Sequence, residues 1–127
     1  MATRRLRALI IEDHPVILES LQGLLEDLAA VDIVGTAAAE EEACHWMDSR
    51  TQACDVAVVD IFLKGGSGFG VLKHMAAYKR PPERVVLTNY ATDAMKARCR
   101  ELGALEVFDK STEIEEFVDW LASRVRH

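Results

Sequence analysis

Few residues in this chain could do chemistry, and most of those are acids. Glu12 and Asp13 stand side by side after the apolar run "ALII" (8–11). Asp60 ends a β-branched run within "VVDIFLKGGSGFGVL" (58–72), just ahead of a glycine-rich loop. Thr88 closes "RVVLT" (84–88), and Lys110 follows "LEVFD" (105–109). Taken singly, each has an ordinary structural role: Asp13 as a helix cap, Asp60 as a turn former, Thr88 as a strand end, Lys110 as a solvated cation. The chemistry lies in the set. Three carboxylates within a few ångströms repel by several kcal/mol at an effective dielectric of about 20. A hard divalent cation removes that repulsion, and carboxylate oxygens with a backbone carbonyl and water suit Mg²⁺. Metal, ammonium and hydroxyl together could hold the oxygens of a phosphoryl group, whose transfer needs mostly positioning and charge neutralisation. One carboxylate then remains as nucleophile. Asp60, on a central strand and followed by a flexible loop, is the candidate.

These residues converge only if the elements before them end at one edge. Short β-like runs alternate with segments of helical period. The strand candidates are residues 8–11, 32–36, 55–60, 84–88 and 105–109. Ile17, Leu21, Leu24, Leu25 and Leu28 form the stripe of a first amphipathic helix, with Pro15 suited to its first turn. Ala43, Trp46 and Met47 mark a second helix; Phe69, Leu72 and Ala76 a third, stopped by Pro81-Pro82; Met95, Cys99 and Leu102 a fourth, closed by Gly103. Ile114, Phe117, Val118, Leu121 and Val125 mark a fifth, where Thr112 and Glu115 have capping-box spacing. Five β-α repeats predict one α/β domain over residues 1–127, a doubly wound sandwich with a parallel sheet. Chemistry in such a fold belongs beyond the carboxyl ends of the strands. Glu12, Asp13, Asp60, Thr88 and Lys110 all stand there.

Composition narrows the function further. The chain has 127 residues, half of them hydrophobic, and no apolar run approaches a membrane span. Its basic start lacks the apolar stretch of a signal peptide. Fifteen Lys and Arg against 21 Asp and Glu leave a net charge of −6, which argues against a nucleic-acid surface across the whole domain. Arg4, Arg5 and Arg7 read as a solvated flank. Cys44, Cys54 and Cys99 fit no zinc or CxxC spacing, and read as reduced residues of a cytoplasmic protein.

Glu12-Asp13, Asp60, Thr88 and Lys110, with "LKGGSGFGVL", resemble the receiver domain of two-component response regulators, the CheY-like family, over about residues 6 to 125. The resemblance implies a flavodoxin-like sandwich with strand order 2-1-3-4-5 and five helices. It implies that Asp60 accepts a phosphoryl group from a histidine kinase or histidine phosphotransfer protein, without being a turnover enzyme. Asp13, Asp60 and the Phe62 backbone carbonyl would ligate Mg²⁺, with Glu12 holding it through water. Thr88 and Lys110 would contact the phosphoryl oxygens, and Gly68 matches a glycine before the third helix. The output would be a protein partner or a second copy, docked on the fourth helix, fifth strand and fifth helix. A fifth helix ending near Arg126, just before His127, leaves no room in this sequence for a DNA-binding domain.

Several positions depart from the family pattern. Lys64 stands where many relatives have proline, which predicts a looser loop after Asp60. Asn89 follows Thr88 where a smaller residue is common. The aromatic switch position, three before the lysine, is Val107, with Phe108 beside it; Tyr90 is the nearest bulky alternative. A haloacid-dehalogenase-like phosphatase would need an acid where Phe62 stands. A flavin binder would need a hydroxyl- and glycine-rich loop in place of "EDHP", and no GxxxxGK[ST] motif supports a nucleotide hydrolase. The alternative that survives is a pseudo-receiver, binding partners without phosphorylation.

Overall fold

The computed structural model describes residues 5–28 and 31–125, so Arg4, Arg126 and His127 lie outside the described residues. Strand and helix alternate throughout: β1 (Leu6–Ile11), α1 (Pro15–Glu26), β2 (Val31–Ala37), α2 (Glu40–Ser49), β3 (Val56–Val59), α3 (Gly68–Ala76), β4 (Glu83–Thr88), α4 (Asp93–Glu101), β5 (Glu106–Asp109) and α5 (Ile114–Ser123). The five strands form one sheet in the order β2-β1-β3-β4-β5, and every pairing is parallel. The flavodoxin-like order therefore holds. The strand order reverses between β1 and β3, all strands staying parallel, and there the first and third loops meet.

Period-two alternation sends successive strand residues to opposite faces. Leu9, Ile11, Ala57, Val59, Val86 and Val107 pack with Met47, Leu72, Met75 and Cys99 on the α2–α4 side. Ala8, Ile10, Val56, Val58, Val85, Leu87 and Phe108 pack with Leu21, Leu25, Phe117 and Leu121 on the α1 and α5 side. The central strands are buried on both faces, as their unbroken apolar sequence requires. All three cysteines are free, and burial pushes the Cys54 thiol up to about 11.

Two helices end sooner than the sequence suggests: α3 stops at Ala76, well before Pro81-Pro82, and α5 stops at Ser123 instead of running through Val125. Pro15 opens α1, and Gly103, at φ 104, follows α4 in the left-handed region that favours glycine. The capping box at Thr112 does not form. The residue before α5 is Glu113, without a side-chain cap. Asp109, at the end of β5, captures the Ser111 and Thr112 amides at 2.8 and 3.1 Å, and Glu113 Oε1 accepts the Asp109 N–H at 3.0 Å. The strand-end aspartate satisfies the turn that Thr112 was expected to organise.

Candidate functional site

Two strand ends bring the acids together. The ladder between β1 and β3 runs on past its last pair, with the Asp60 N–H donating to the Ile11 carbonyl at 3.0 Å. Asp60 thus sits beside Glu12 and Asp13, one residue beyond β3, instead of within the strand as expected. Carboxylate oxygens of Glu12, Asp13 and Asp60 all lie within 4.8 Å of one another. On the other flank, the Lys110 N–H donates to the Thr88 carbonyl at 2.9 Å, fixing the start of the last loop. The Lys110 Nζ then reaches back to Glu12 Oε1 at 2.5 Å and Asp60 Oδ2 at 3.2 Å.

Burial makes this arrangement electrostatically tense. Glu12 is 2% exposed, Asp60 6% and Thr88 not at all. Burial pushes the Asp60 carboxyl up to about 6; the Lys110 ammonium pulls it down, and the Glu12 charge beside it pushes it up again. Three carboxylates against one ammonium leave two formal negative charges, which a divalent cation would neutralise. The donor set is all oxygen, which fits Mg²⁺ and disfavours softer metals.

Each remaining polar contact has a local cause. Glu12 Oε2 accepts the His14 N–H at 3.1 Å, so exposed His14 contributes its backbone here. Asp60 Oδ1 accepts the Phe62 N–H at 3.3 Å, and Asp13 Oδ2 accepts the Lys64 N–H at 2.8 Å. Thr88 Oγ1 accepts the Tyr90 N–H at 3.2 Å. A Cβ on Gly68 would stand 2.2 Å from the Asp60 carbonyl oxygen, and the Gly68 N–H donates to Ile61 O at 2.9 Å. Only glycine lets α3 start this close to the acidic residue.

The switch candidates separate. Val107 is buried on the α2–α4 side, whereas Phe108 faces the opposite layer, against Phe117 and Trp120. Tyr90 lies at the mouth of the site, with its ring edge-on to Phe62 at 5.1 Å; both rings are more than half exposed. Asn89 and Lys64 point into solvent. Sequence reasoning missed Glu40, which accepts the Ser67 N–H at 2.8 Å and so touches the loop after Asp60 from α2. The signal for it was Gly66 and Gly70, whose absent Cβ atoms leave the space Glu40 fills.

A doubly wound parallel sheet with three acids, a threonine and a lysine at its carboxyl edge defines a class of signalling domain. The model of the response regulator receiver domain matches residues 8–122, and the chain belongs to that family. It is 25% identical over 118 residues to response regulator UvrY of Escherichia coli K12, covering 93% of this chain and 53% of that protein. It is 32% identical over 117 residues to the sensory transduction protein LytT of Bacillus cereus, covering 91% and 46% respectively. The chain thus spans about half the length of these curated relatives. Among solved structures it matches the signal receiver domain of the putative response regulator NarL from Mycobacterium tuberculosis, with TM-score 0.81, 23% identity, and coverage of 95% of this chain and 98% of that one. It also matches a chain of the CheX–CheY–BeF₃–Mg²⁺ complex from Borrelia burgdorferi, with TM-score 0.85, 18% identity, and coverage of 94% and 89%. Receiver domains of this family bind Mg²⁺ at an acidic pocket and act in two-component signalling.

Proposed function

We propose that residues 1–127 are a single receiver domain whose Asp60 accepts a phosphoryl group from a phosphohistidine on a histidine kinase or phosphotransfer protein. The observation that carries this reading is the junction of Lys110 with both Glu12 and Asp60, inside a cluster of three carboxylates. A bound Mg²⁺ supplies charge neutralisation for the incoming phosphoryl oxygens. Asp13, Asp60 and the Phe62 carbonyl would hold it, with Glu12 acting through water. One Asp60 oxygen attacks phosphorus, the phosphorus–nitrogen bond breaks, and the imidazole leaves with the electron pair. Lys110 then turns its ammonium toward the new phosphoryl oxygens, and the Thr88 hydroxyl donates to them. Hydrolysis of the acyl phosphate ends the signal, so the chain is a switch and not a turnover enzyme.

Supporting surfaces lie close by. A cavity of about 240 Å³ between α1 and α5, lined by Val16, Ile17, Leu21, Leu24 and Ile114, extends to Lys110 and offers a phosphodonor protein an apolar seat. For output we infer a protein partner or a second copy on the face of α4, β5 and α5, and no direct contact with nucleic acid or membrane. The receiver family supports a cytoplasmic site of action; among the described residues no helix is long and apolar enough to cross a membrane.

Beryllofluoride tests the reading without a kinase. The protein should bind it only with Mg²⁺ present, and lose that binding in Asp60→Asn. A fold-intact protein that ignores both ligands would instead be a pseudo-receiver.

A further inference from the structure

The loop after Asp60 is gripped from outside the acidic pocket. The Glu40 N–H, at the first residue of α2, donates to the Gly65 carbonyl at 2.9 Å, and Glu40 Oε1 accepts the Ser67 N–H at 2.8 Å. Two glycines make room for this side chain. A Cβ on Gly66 would stand 2.5 Å from the Glu40 Cβ, and one on Gly70 2.2 Å from Glu40 Oε2. Gly66 also takes a left-handed φ of 79, which lets the chain turn beneath the carboxylate. A first-turn acid that served only the helix dipole would sit in solvent and need no such space. Ser67 caps α3, where its hydroxyl accepts the Phe69 N–H at 3.0 Å, and upstream of it the Lys64 N–H donates to Asp13 at 2.8 Å. Asp13 belongs to the oxygen cluster that a cation would draw on, whereas Glu40 does not. Its hold on the loop thus uses no oxygen of that cluster.

We propose that Glu40 is a positioning residue for phosphoryl transfer: from α2 it fixes the 62–67 loop, and with it the Phe62 carbonyl offered to the metal. This rests on the function proposed above. Without the clamp, a loop with Gly65 and Gly66 samples more conformations, and only a fraction of molecules present the carbonyl correctly. Apparent metal affinity falls by that fraction.

The test compares Glu40→Ala and Glu40→Gln in the full chain, by Mg²⁺ calorimetry and by the rate of acetyl phosphate labelling across Mg²⁺ concentrations. Glu40→Ala should weaken Mg²⁺ binding roughly tenfold, the size expected from one charge-assisted hydrogen bond to a backbone amide. Its labelling should be slow at low Mg²⁺ and return to the wild-type rate at saturation. Glu40→Gln keeps an acceptor oxygen and should stay within about threefold of wild type. Wild-type affinity in Glu40→Ala, equal losses in both variants, or a defect that persists at saturating Mg²⁺ would overturn the proposal while leaving the site reading intact. A wild type that neither binds Mg²⁺ nor takes label overturns the site reading, and this proposal with it. Should Glu40→Ala not fold, hydrogen exchange on the wild type decides: a protected Ser67 amide supports the clamp, and one exchanging like open loop refutes it.

Discussion

Asp60 is held well above the ordinary carboxylate range, first by burial, against the pull of Lys110. The sign of the consequence follows from linkage. Between 3.8 and about 6, the metal-free native protein keeps a proton that the unfolded chain has lost. Stability from this group is therefore complete below that window and declines as pH rises through it. Asp60→Asn removes the buried charge, so this variant should be more stable than wild type at about pH 7 in EDTA, with the difference shrinking toward about pH 4. Denaturant titrations at several pH values check this, and a less stable variant at neutral pH would contradict it. Asp13 acts differently, because its carboxylate both faces the cluster and holds the Lys64 amide. Asp13→Ala should weaken Mg²⁺ affinity by about tenfold or more, since a hard cation loses one of few charged ligands. Unchanged calorimetric titrations would make Asp13 a loop tether only.

At the scale of elements, the proposed function requires the loops after β3, β4 and β5 to carry the response. Lys110 ties the last of these to the pocket through Glu12 and Asp60. A new phosphoryl charge would draw it away from them, and Lys110→Ala should lose the conformational response more than it loses stability. An equal loss of both would mark the lysine as structural. Phe62 and Tyr90, from the loops after β3 and β4, touch edge to face at the surface. On adding beryllofluoride, the resonances of residues 88–118 should shift, Tyr90 among them, because Val107 is too small to report a large rotamer change. Silence there, with movement confined to the loop after Asp60, would refute this route. Much of the layout was legible in the sequence, because a parallel sheet covered on both faces writes its strands as unbroken apolar runs. The acids were legible because each follows such a run. Thr112 misled because Asp109 takes the Thr112 amide that Glu115 would accept in a capping box, a contest that spacing alone does not reveal. Glu40 was hidden for a related reason: its partners lie 25 or more positions along the chain.

At the scale of the whole molecule, the switch must reach a surface. The receiver family places this chain in two-component signalling, and the chain spans about half the length of its curated relatives. The α4–β5–α5 face combines exposed Leu105 with the ion pair of Arg100 and Glu106 at 3.5 Å. Such a mixed face suits an interface that forms only when the switch is set. Tyr90→Ala should leave labelling of Asp60 intact while weakening phosphorylation-dependent association, measured by sedimentation with and without beryllofluoride. The central claim, that Asp60 is the phosphoacceptor, is tested most directly by mass spectrometry after incubation with acetyl phosphate and Mg²⁺. One phosphoryl group should be added, labile to hydroxylamine, blocked by EDTA, and absent from Asp60→Asn. Persistent labelling of that variant, or none in the wild type, would contradict it.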